Sequence, residues 1–195
     1  MGKLRDWLFR VLVLAGGGLL AYSWFQPWWH TYIVEVKENA VTVFPWALNL
    51  NIPPEVEDWF VSFENLMPSW FFTFMWIYFG LCIAALLFSL FASSDKGISL
   101  GRFRISLPTA LISGVGLSYI VIVAAALVTI AMRVGDFYNA PLMGKIYIDL
   151  GAEADVQVAS WVETGFNLGY WLACAAGPLL IILAIFRNKI IGRSD

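Results

Sequence analysis

The stretch "WFFTFMWIYFGLCIAALLFSLFA", residues 70–92, decides the fold of this chain. It contains no charged residue, and it exceeds the ~20 apolar residues that a helix needs to cross the ~30 Å hydrocarbon core of a membrane. Three further stretches are similarly long and apolar, at residues 7–28, 107–132 and 162–186. The sequence therefore predicts an all-α membrane protein built on a bundle of four transmembrane helices.

The composition of the whole chain agrees with this prediction. Of the 195 residues, 60% are hydrophobic and 13% are charged, and the mean hydropathy is +0.75. Soluble domains are usually about 45–50% apolar and about 25% charged. We expect residues 1–195 to form one integral membrane domain with outer loops at 29–69 and 133–161. A basic start before an apolar run also occurs in signal peptides, and we interpret the first span as a retained signal anchor.

The basic residues predict the orientation. Most of the 12 Lys and Arg residues lie before the first span, between the second and third, or after the fourth. They are Lys3, Arg5, Arg10, Lys96, Arg102, Arg104, Arg187, Lys189 and Arg193. Loops rich in Lys and Arg stay in the cytoplasm. The sequence thus predicts a multi-pass protein of the cell membrane with both termini cytoplasmic and two acidic outer loops.

Both outer loops contain strand patterns. "TYIVEVKENAVTVF", residues 31–44, alternates and carries a turn at "KEN", and "KIYIDLGAEADVQV", residues 145–158, repeats the arrangement. Because an isolated hairpin is marginal in water, we expect both to join in one small extracytoplasmic β-sheet. Residues 52–70, "IPPEVEDWFVSFENLMPSW", predict an amphipathic helix on the membrane surface.

Tryptophan residues cluster at the expected outer ends of the spans, most densely in "YSWFQPWWHTY", residues 22–32. Rings with one polar edge favour the depth of the lipid headgroups. We interpret them as an interfacial belt; the alternative is an aromatic pocket for a lipid tail or another hydrophobic molecule. The belt residues are Trp24, Trp28, Trp29, Trp59, Trp70, Trp161 and Trp171.

The sequence contains no constellation that indicates catalysis. His30 is the only histidine, and with Cys82 and Cys174 at mid-span it does not complete a haem, copper or zinc ligand set. The central parts of the spans lack the charged residues that transporters use. No nucleotide-binding, nucleophile-elbow or zinc-protease motif is found. We expect no enzymatic activity, no cofactor or metal, and no nucleic-acid partner.

Small residues recur every four positions in the fourth span, at Gly165, Gly169, Ala173 and Gly177. The third span offers a second small surface, which includes Gly114 and Ser118. In lipid, such faces allow two helices to approach closely. Two interpretations stay open: packing inside the bundle, or docking on another membrane subunit. The aromatic face of the second span is a further candidate for docking.

In topology the chain resembles claudin-type tetraspan proteins, which also have cytoplasmic termini and a strand-forming first outer loop. That family carries a cysteine pair in the loop, and residues 29–69 contain no cysteine. The resemblance therefore implies the four-span arrangement and nothing about activity.

The leading functional hypothesis is a non-catalytic structural or accessory subunit of a larger membrane complex. It would contact other integral membrane subunits, or copies of itself, through helix faces and the outer sheet, and membrane lipids elsewhere. The alternative is a tetraspan protein that binds a lipid or hydrophobic molecule. A channel or transporter protomer would need a polar lumen, which four apolar spans would supply only as an oligomer.

Overall fold

The computed structural model describes residues 2–34, 37–51, 69–92, 97–100, 103–138, 141–149 and 159–191. Within these ranges the chain forms helices α1 (Gly2–Phe25), α2 (Ser69–Phe91), α3 (Leu107–Tyr138) and α4 (Leu168–Ile191). It also forms strands β1 (Trp29–Ile33), β2 (Glu38–Phe44), β3 (Ala47–Leu50), β4 (Gly97–Leu100), β5 (Phe103–Ser106), β6 (Gly144–Asp149) and β7 (Ala159–Phe166). All four helices are long and apolar enough to cross a membrane.

Two predicted spans agree closely with helices, and two need correction. The spans at 70–92 and 107–132 correspond to α2 and α3, although α3 continues to Tyr138. The span predicted at 7–28 ends at Phe25, because Pro27 cannot continue a helix. The span predicted at 162–186 begins only at Leu168, because the residues before it pair as a strand with two neighbouring strands.

The predicted small sheet is confirmed as a five-stranded antiparallel sheet in the order β3-β2-β1-β7-β6. Its central pair, β1 with β7, joins the strands of the two predicted loops. The predicted strand at the start of "KIYIDL" corresponds to β6, whereas "DVQV", residues 155–158, lies outside the described residues. So does most of the predicted amphipathic helix, at residues 52–68.

One face of this sheet is apolar because side chains alternate along each strand. On β1, Trp29 and Thr31 are buried, whereas the alternate residues His30 and Tyr32 are only partly buried. Trp29 packs with residues of β2 and α3 in one core cluster. The buried members of that cluster are Trp29, Ala40, Val41 and Ile130.

A second, two-stranded sheet joins α2 to α3 and was not predicted. β4 pairs antiparallel with β5 in a segment that we expected to be a plain basic loop. β5 runs directly into α3, with Ser106 as the last strand residue and Leu107 as the first helical one. The Ser106 hydroxyl and that of Thr109 are hydrogen-bonded across the first turn of α3 (2.8 Å).

The chain divides into two compact units. The helical unit comprises residues 1–23, 76–124 and 172–195, and the sheet unit comprises residues 24–75 and 125–171. Every one of the four described helices contributes residues to both units. The β4–β5 hairpin belongs to the helical unit.

Candidate functional site

The tryptophan cluster between the last turn of α1 and the start of β1 lies in the protein interior. Trp24, Trp28 and Trp29 are 0%, 1% and 3% exposed. Rings this buried are surrounded by other residues of the chain, and the assignment of these three residues to a belt stays a prediction. We call them the aromatic junction.

The aromatic junction connects α1, the sheet and α4. The backbone N–H of Trp28 donates to the Val43 carbonyl in β2 (2.8 Å). Its own carbonyl accepts a bond from the N–H of Asn167 (3.0 Å), one residue before α4. The Trp28 ring also meets Tyr170 edge-on, with centroids 6.1 Å apart. Trp28 therefore fixes the start of α4 against β2.

Indole N–H groups satisfy carbonyls at the ends of neighbouring elements. Trp46, in the turn between β2 and β3, donates from Nε1 to the Trp24 carbonyl in the last turn of α1 (3.1 Å). The last carbonyls of a helix have no partner within the helix. Trp29 Nε1 donates similarly to the Leu142 carbonyl just before β6 (3.0 Å). These bonds explain why tryptophan is suited to these positions.

His30 lies on the face of β1 opposite to Trp29, in register with Thr42 and Gly165. Its Nδ1 is buried and has no hydrogen-bond partner in the part of the chain that the structure describes. Over the same residues, no three His, Cys, Asp or Glu side chains converge on a point that could hold a metal ion. The expectation that the protein carries no metal stays a prediction.

The remaining belt residues behave differently from the aromatic junction. Trp70, Trp161 and Trp171 are exposed, as residues that face lipid headgroups would be. Trp161 lies directly across from Tyr147 on β6, and their ring centroids are 5.4 Å apart. Trp59 falls outside the described residues.

The small-residue ridge predicted on the fourth span is one member shorter than expected. Gly165 belongs to β7 and not to α4, so its predicted place on a helix face is wrong. A short apolar segment does not reveal from its pattern alone whether it is strand or helix. Gly169 does lie on α4, and a Cβ there would come within 2.6 Å of the Pro27 carbonyl oxygen.

The lower part of the ridge packs against α3. A Cβ at Gly177 would lie 2.6 Å from Ile120 Cγ1 and 3.0 Å from the Gly116 carbonyl oxygen. A Cβ at Gly116 would lie 2.8 Å from the Gly177 carbonyl oxygen, so the approach is mutual. Ala173, one turn before Gly177, is buried. These contacts favour packing within the chain over docking as the use of this ridge.

Gly114 and Ser118 were predicted to share a packing face, and only Ser118 makes a helix contact. The hydroxyls of Ser118 and Tyr78 on α2 are hydrogen-bonded (3.1 Å). An added Cβ at Gly114 would meet nothing within 4 Å, so Gly114 faces away from the other helices. Gly116 takes the packing role instead.

Residues 116–120 of α3 contact each of the other three helices, and we call them the α3 node. Gly116 meets α4 and Ser118 meets α2, while the Tyr119 hydroxyl is hydrogen-bonded to Ser23 on α1 (2.8 Å). Tyr119 and Ser23 are both fully buried. Sequence reasoning missed Gly116 and Tyr119, because a helix that is apolar on all sides has no periodic signal to tell its inner face.

A buried arginine, Arg187, makes a further contact between helices. It is 7% exposed, its Nη1 donates to Ser106 Oγ (3.0 Å), and its guanidinium carbon lies 5.7 Å from the centre of the Phe9 ring. It therefore connects α4 with the ends of α1 and α3. We predicted only that Arg187 fixes the orientation, and its burial was missed.

Of the four helices in the described residues, α2 is the least buried. In its most apolar stretch 22% of the residues are buried, against 44% for α4. Gly80 and Ala84, one turn apart, are both exposed, and a Cβ at Gly80 would meet nothing within 4 Å. Trp70, Ile77 and Phe91 extend the same exposed surface along the helix.

The hydroxyls at the helix contacts serve packing, since those of Ser23 and Tyr119 are hydrogen-bonded to each other and that of Ser118 to Tyr78. The ion pair of Lys145 with Glu163 (3.0 Å) lies at the surface of the sheet. No protein-family model matches this chain, and no curated protein matches its sequence.

Proposed function

We propose that the chain is a non-catalytic structural or accessory subunit of a larger complex in the cell membrane. Its four helices span the membrane, with both termini in the cytoplasm and the five-stranded sheet outside. The observation that carries the proposal is the open face of α2, where Gly80 and Ala84 are exposed side by side. The partners are other integral membrane subunits or further copies of this chain.

The contrast between α2 and α4 supports this face as the docking surface. The space beside the glycines of α4 is filled by Ile120, Gly116 and the backbone before β1. These glycines therefore have no free surface for a partner. On α2, the pair Gly80 and Ala84 has the small-xxx-small spacing that lets two helices approach in lipid. The aromatic residues beside it provide the large rings that are enriched at protein interfaces.

The orientation is supported by charge. The segment that connects α2 to α3 and the end of the chain from residue 187 onward are rich in Lys and Arg, and such regions stay cytoplasmic. The sheet then falls on the opposite side, with the exposed ion pair of Lys145 and Glu163 and the rings of Tyr147 and Trp161 on its surface. These side chains suit a polar contact with the extracytoplasmic part of a neighbouring subunit.

The two alternatives have less support from the contacts. A lateral pocket for a lipid tail would need an open aromatic wall, and the rings of Trp24, Trp28 and Trp29 are closed in by protein. A channel would need free polar groups facing a lumen, and the hydroxyls of Tyr119 and Ser118 are engaged by Ser23 and Tyr78.

Three open glycines provide a sharp test of the docking face. A Cβ at Gly18 on α1, Gly80 on α2 or Gly114 on α3 would meet nothing within 4 Å. Because a Cβ at each position has open space, we expect the isolated chain to tolerate leucine there, so that leucine blocks only what approaches from outside. The full-length protein and the three variants are extracted gently from the membranes in which they are made and compared by native mass spectrometry.

We expect co-purifying protein chains with the unmodified protein, their loss in Gly80→Leu, and their retention in Gly18→Leu and Gly114→Leu. A monomer that carries one stoichiometric lipid and no protein would favour the lipid-binding alternative. A symmetric ring of this chain alone would favour the channel. Retention of every partner in Gly80→Leu would contradict the choice of α2.

A further inference from the structure

Helix α4 contains a proline in its interior, at Pro178. Proline has no backbone N–H, so it cannot donate the helical hydrogen bond to the carbonyl of Cys174, and its ring crowds that carbonyl. The residue before it, Gly177, adds the backbone freedom of glycine. These two residues are therefore the most deformable point of a helix that continues on both sides, over Leu168–Ile191.

Packing explains the glycine of this pair but not the proline. A Cβ at Gly177 would lie 3.0 Å from the Gly116 carbonyl oxygen, so a larger residue does not fit there. Pro178, in contrast, is exposed. Proline is the least favourable residue in a helix interior, and proteins violate such local rules mainly at functional sites. The proline therefore indicates a use for a deformable helix.

The contacts of α4 change in kind at this point. At Gly177 the neighbour is the backbone of α3, since a Cβ at Gly116 would lie 2.8 Å from the Gly177 carbonyl oxygen. Further along α4, Leu180 reaches α1 through its side chain, and a Cβ at Gly16 would lie 2.9 Å from Leu180 Cδ2. Two backbones in contact hold a fixed separation, whereas the end of a leucine side chain can change rotamer. Gly177 thus marks a fixed point, and the helix beyond it is held by contacts that can adapt.

Arg187 holds the far end of α4. Its Nη1 donates to Ser106 Oγ (3.0 Å), and its guanidinium carbon lies 5.7 Å from the centre of the Phe9 ring. At the usual rise per residue, Arg187 lies about 13 Å beyond Pro178 along the helix axis. A change of about 20° in a proline kink would therefore move the guanidinium by about 5 Å. That displacement breaks the bond to Ser106, because hydrogen bonds are lost beyond about 3.5 Å.

We propose that residues 178–191 form a hinged segment that swings about Pro178, and that Arg187 is the latch that holds it closed on Ser106 and Phe9. The structure shows the closed position. Opening would expose the Ser106 hydroxyl at the start of α3 and the Phe9 ring to whatever contacts this end of the helical unit. The hinge goes beyond the proposed function, since its motion requires no partner.

The test measures the position of the hinged segment in the full-length chain by double electron–electron resonance in nanodiscs. In a background with Cys82→Ala and Cys174→Ala, one spin label is attached to Lys189→Cys on the segment. The second label is attached to Leu117→Cys on α3 or, in a separate sample, to Tyr22→Cys on α1. All three labelled positions are exposed. With the latch intact, we expect one narrow distance distribution for each pair.

Opening the latch should change these distances. Arg187→Met removes both the charge and the hydrogen-bond donor while keeping a long side chain. We expect a second population, displaced by about 5 Å in at least one label pair. The matched control is Arg10→Met, which removes an exposed arginine from α1 and should leave a single population. Equal distributions in the two variants would overturn the latch.

A second substitution tests the hinge itself. In Arg187→Met/Pro178→Ala the helical bond to the carbonyl of residue 174 can form again, so the single narrow population should return. The control is Arg187→Met/Ile182→Ala, which shortens an exposed side chain without altering a backbone bond and should keep both populations. A second population that persists in Arg187→Met/Pro178→Ala would place the motion elsewhere and overturn the hinge.

A milder variant keeps the test decisive where Arg187→Met does not fold. Ser106→Ala removes only the hydroxyl that accepts the arginine bond. Its control is Thr109→Val, which removes the other hydroxyl bonded to Ser106 and leaves the bond to Arg187 in place. A second population in Ser106→Ala alone would support the latch, and identical distributions would overturn it. Neither result depends on co-purifying chains, so this proposal and the proposed function fail separately.

Discussion

The contacts inside the helical unit differ in kind from the contacts inside the sheet unit. In the helical unit, backbones approach one another at glycines, as at Gly116 and Gly177, and buried hydroxyls such as Tyr119 and Ser23 pair across helices. In the sheet unit, an alternating apolar face packs beneath the strands around the large ring of Trp29. The helical unit thus packs through small residues, and the sheet unit packs around a large ring.

The difference follows from the solvent that each region would meet under the proposed function. Between helices in hydrocarbon no hydrophobic effect operates, so close packing of small residues and interhelical hydrogen bonds must hold them together. In water, burial of large apolar side chains is the main source of stability. Under the proposed function, a single chain of 195 residues combines both sets of rules.

Removing a ring from the sheet unit should have the largest effect. Trp29→Ala deletes a buried indole together with its hydrogen bond to the Leu142 carbonyl. Loss of a buried tryptophan usually costs about 3–5 kcal/mol. We expect that loss in the free energy of unfolding, measured by chemical denaturation in detergent. The control is Trp161→Ala, whose ring is exposed, and equal losses in the two variants would contradict the role of the aromatic junction.

Filling a glycine contact in the helical unit should have the next largest effect. Gly177→Leu adds a side chain where a Cβ alone would lie 2.6 Å from Ile120 Cγ1. Overpacking of this kind typically costs about 1–3 kcal/mol. The melting temperature of the purified monomer should fall, whereas Gly80→Leu, at an open site, should leave it unchanged. If both variants melted like the unmodified protein, the contact between α3 and α4 would be refuted.

The sheet unit contains one glycine contact of the helical type, which sharpens the comparison. A Cβ at Gly169 would lie 2.6 Å from the Pro27 carbonyl oxygen and 2.8 Å from that of Gln26. Backbone atoms cannot rotate away as a flexible side chain can, so Gly169→Ala should cost about 1–2 kcal/mol. Leu168→Ala, at an exposed neighbouring position, is the control in the same unfolding assay. Equal stability of the two variants would show that the segment before β1 yields freely.

The sequence predicted the features that depend on length and alternation. Long apolar stretches identified α2 and α3, because few structures other than a membrane span bury so many apolar residues in a row. Alternation in the two loops predicted the joined sheet. Gly165 was predicted on a helix and lies in β7. The segment before α4 is apolar and short, and such segments fit a strand or a helix equally well.

The contacts that decide the candidate site depend on three-dimensional neighbours. Trp28 and Trp70 are both tryptophans near helix ends, yet one is enclosed by β2 and α4 and the other is exposed. Gly114 and Gly116 are two residues apart in one apolar helix, and only Gly116 meets α4. Composition around each residue is nearly the same in these pairs, so only the packing partners distinguish them.

The smallest effect is expected from a single hydroxyl in the helical unit. Tyr119→Phe removes the hydrogen bond to Ser23 Oγ, which keeps its second bond to the Leu20 carbonyl. Interhelical hydrogen bonds in membrane proteins are worth about 0.6 kcal/mol on average. We expect a loss of that order in the unfolding free energy, against no change for Tyr22→Phe at an exposed position. A loss several times larger would mean that this bond organises the α3 node beyond its own energy.

The central claim is that four helices cross a membrane with the sheet on one side and both termini on the other. Its most direct test is labelling with a membrane-impermeant maleimide in intact cells that express a Cys82→Ala/Cys174→Ala background. Asn49→Cys on β3 and Lys189→Cys near the end of α4 both replace exposed side chains. We expect the cysteine at 49 to be labelled in intact cells and the cysteine at 189 to be labelled only after permeabilisation. Labelling of both from the outside, or of 189 alone, would contradict it.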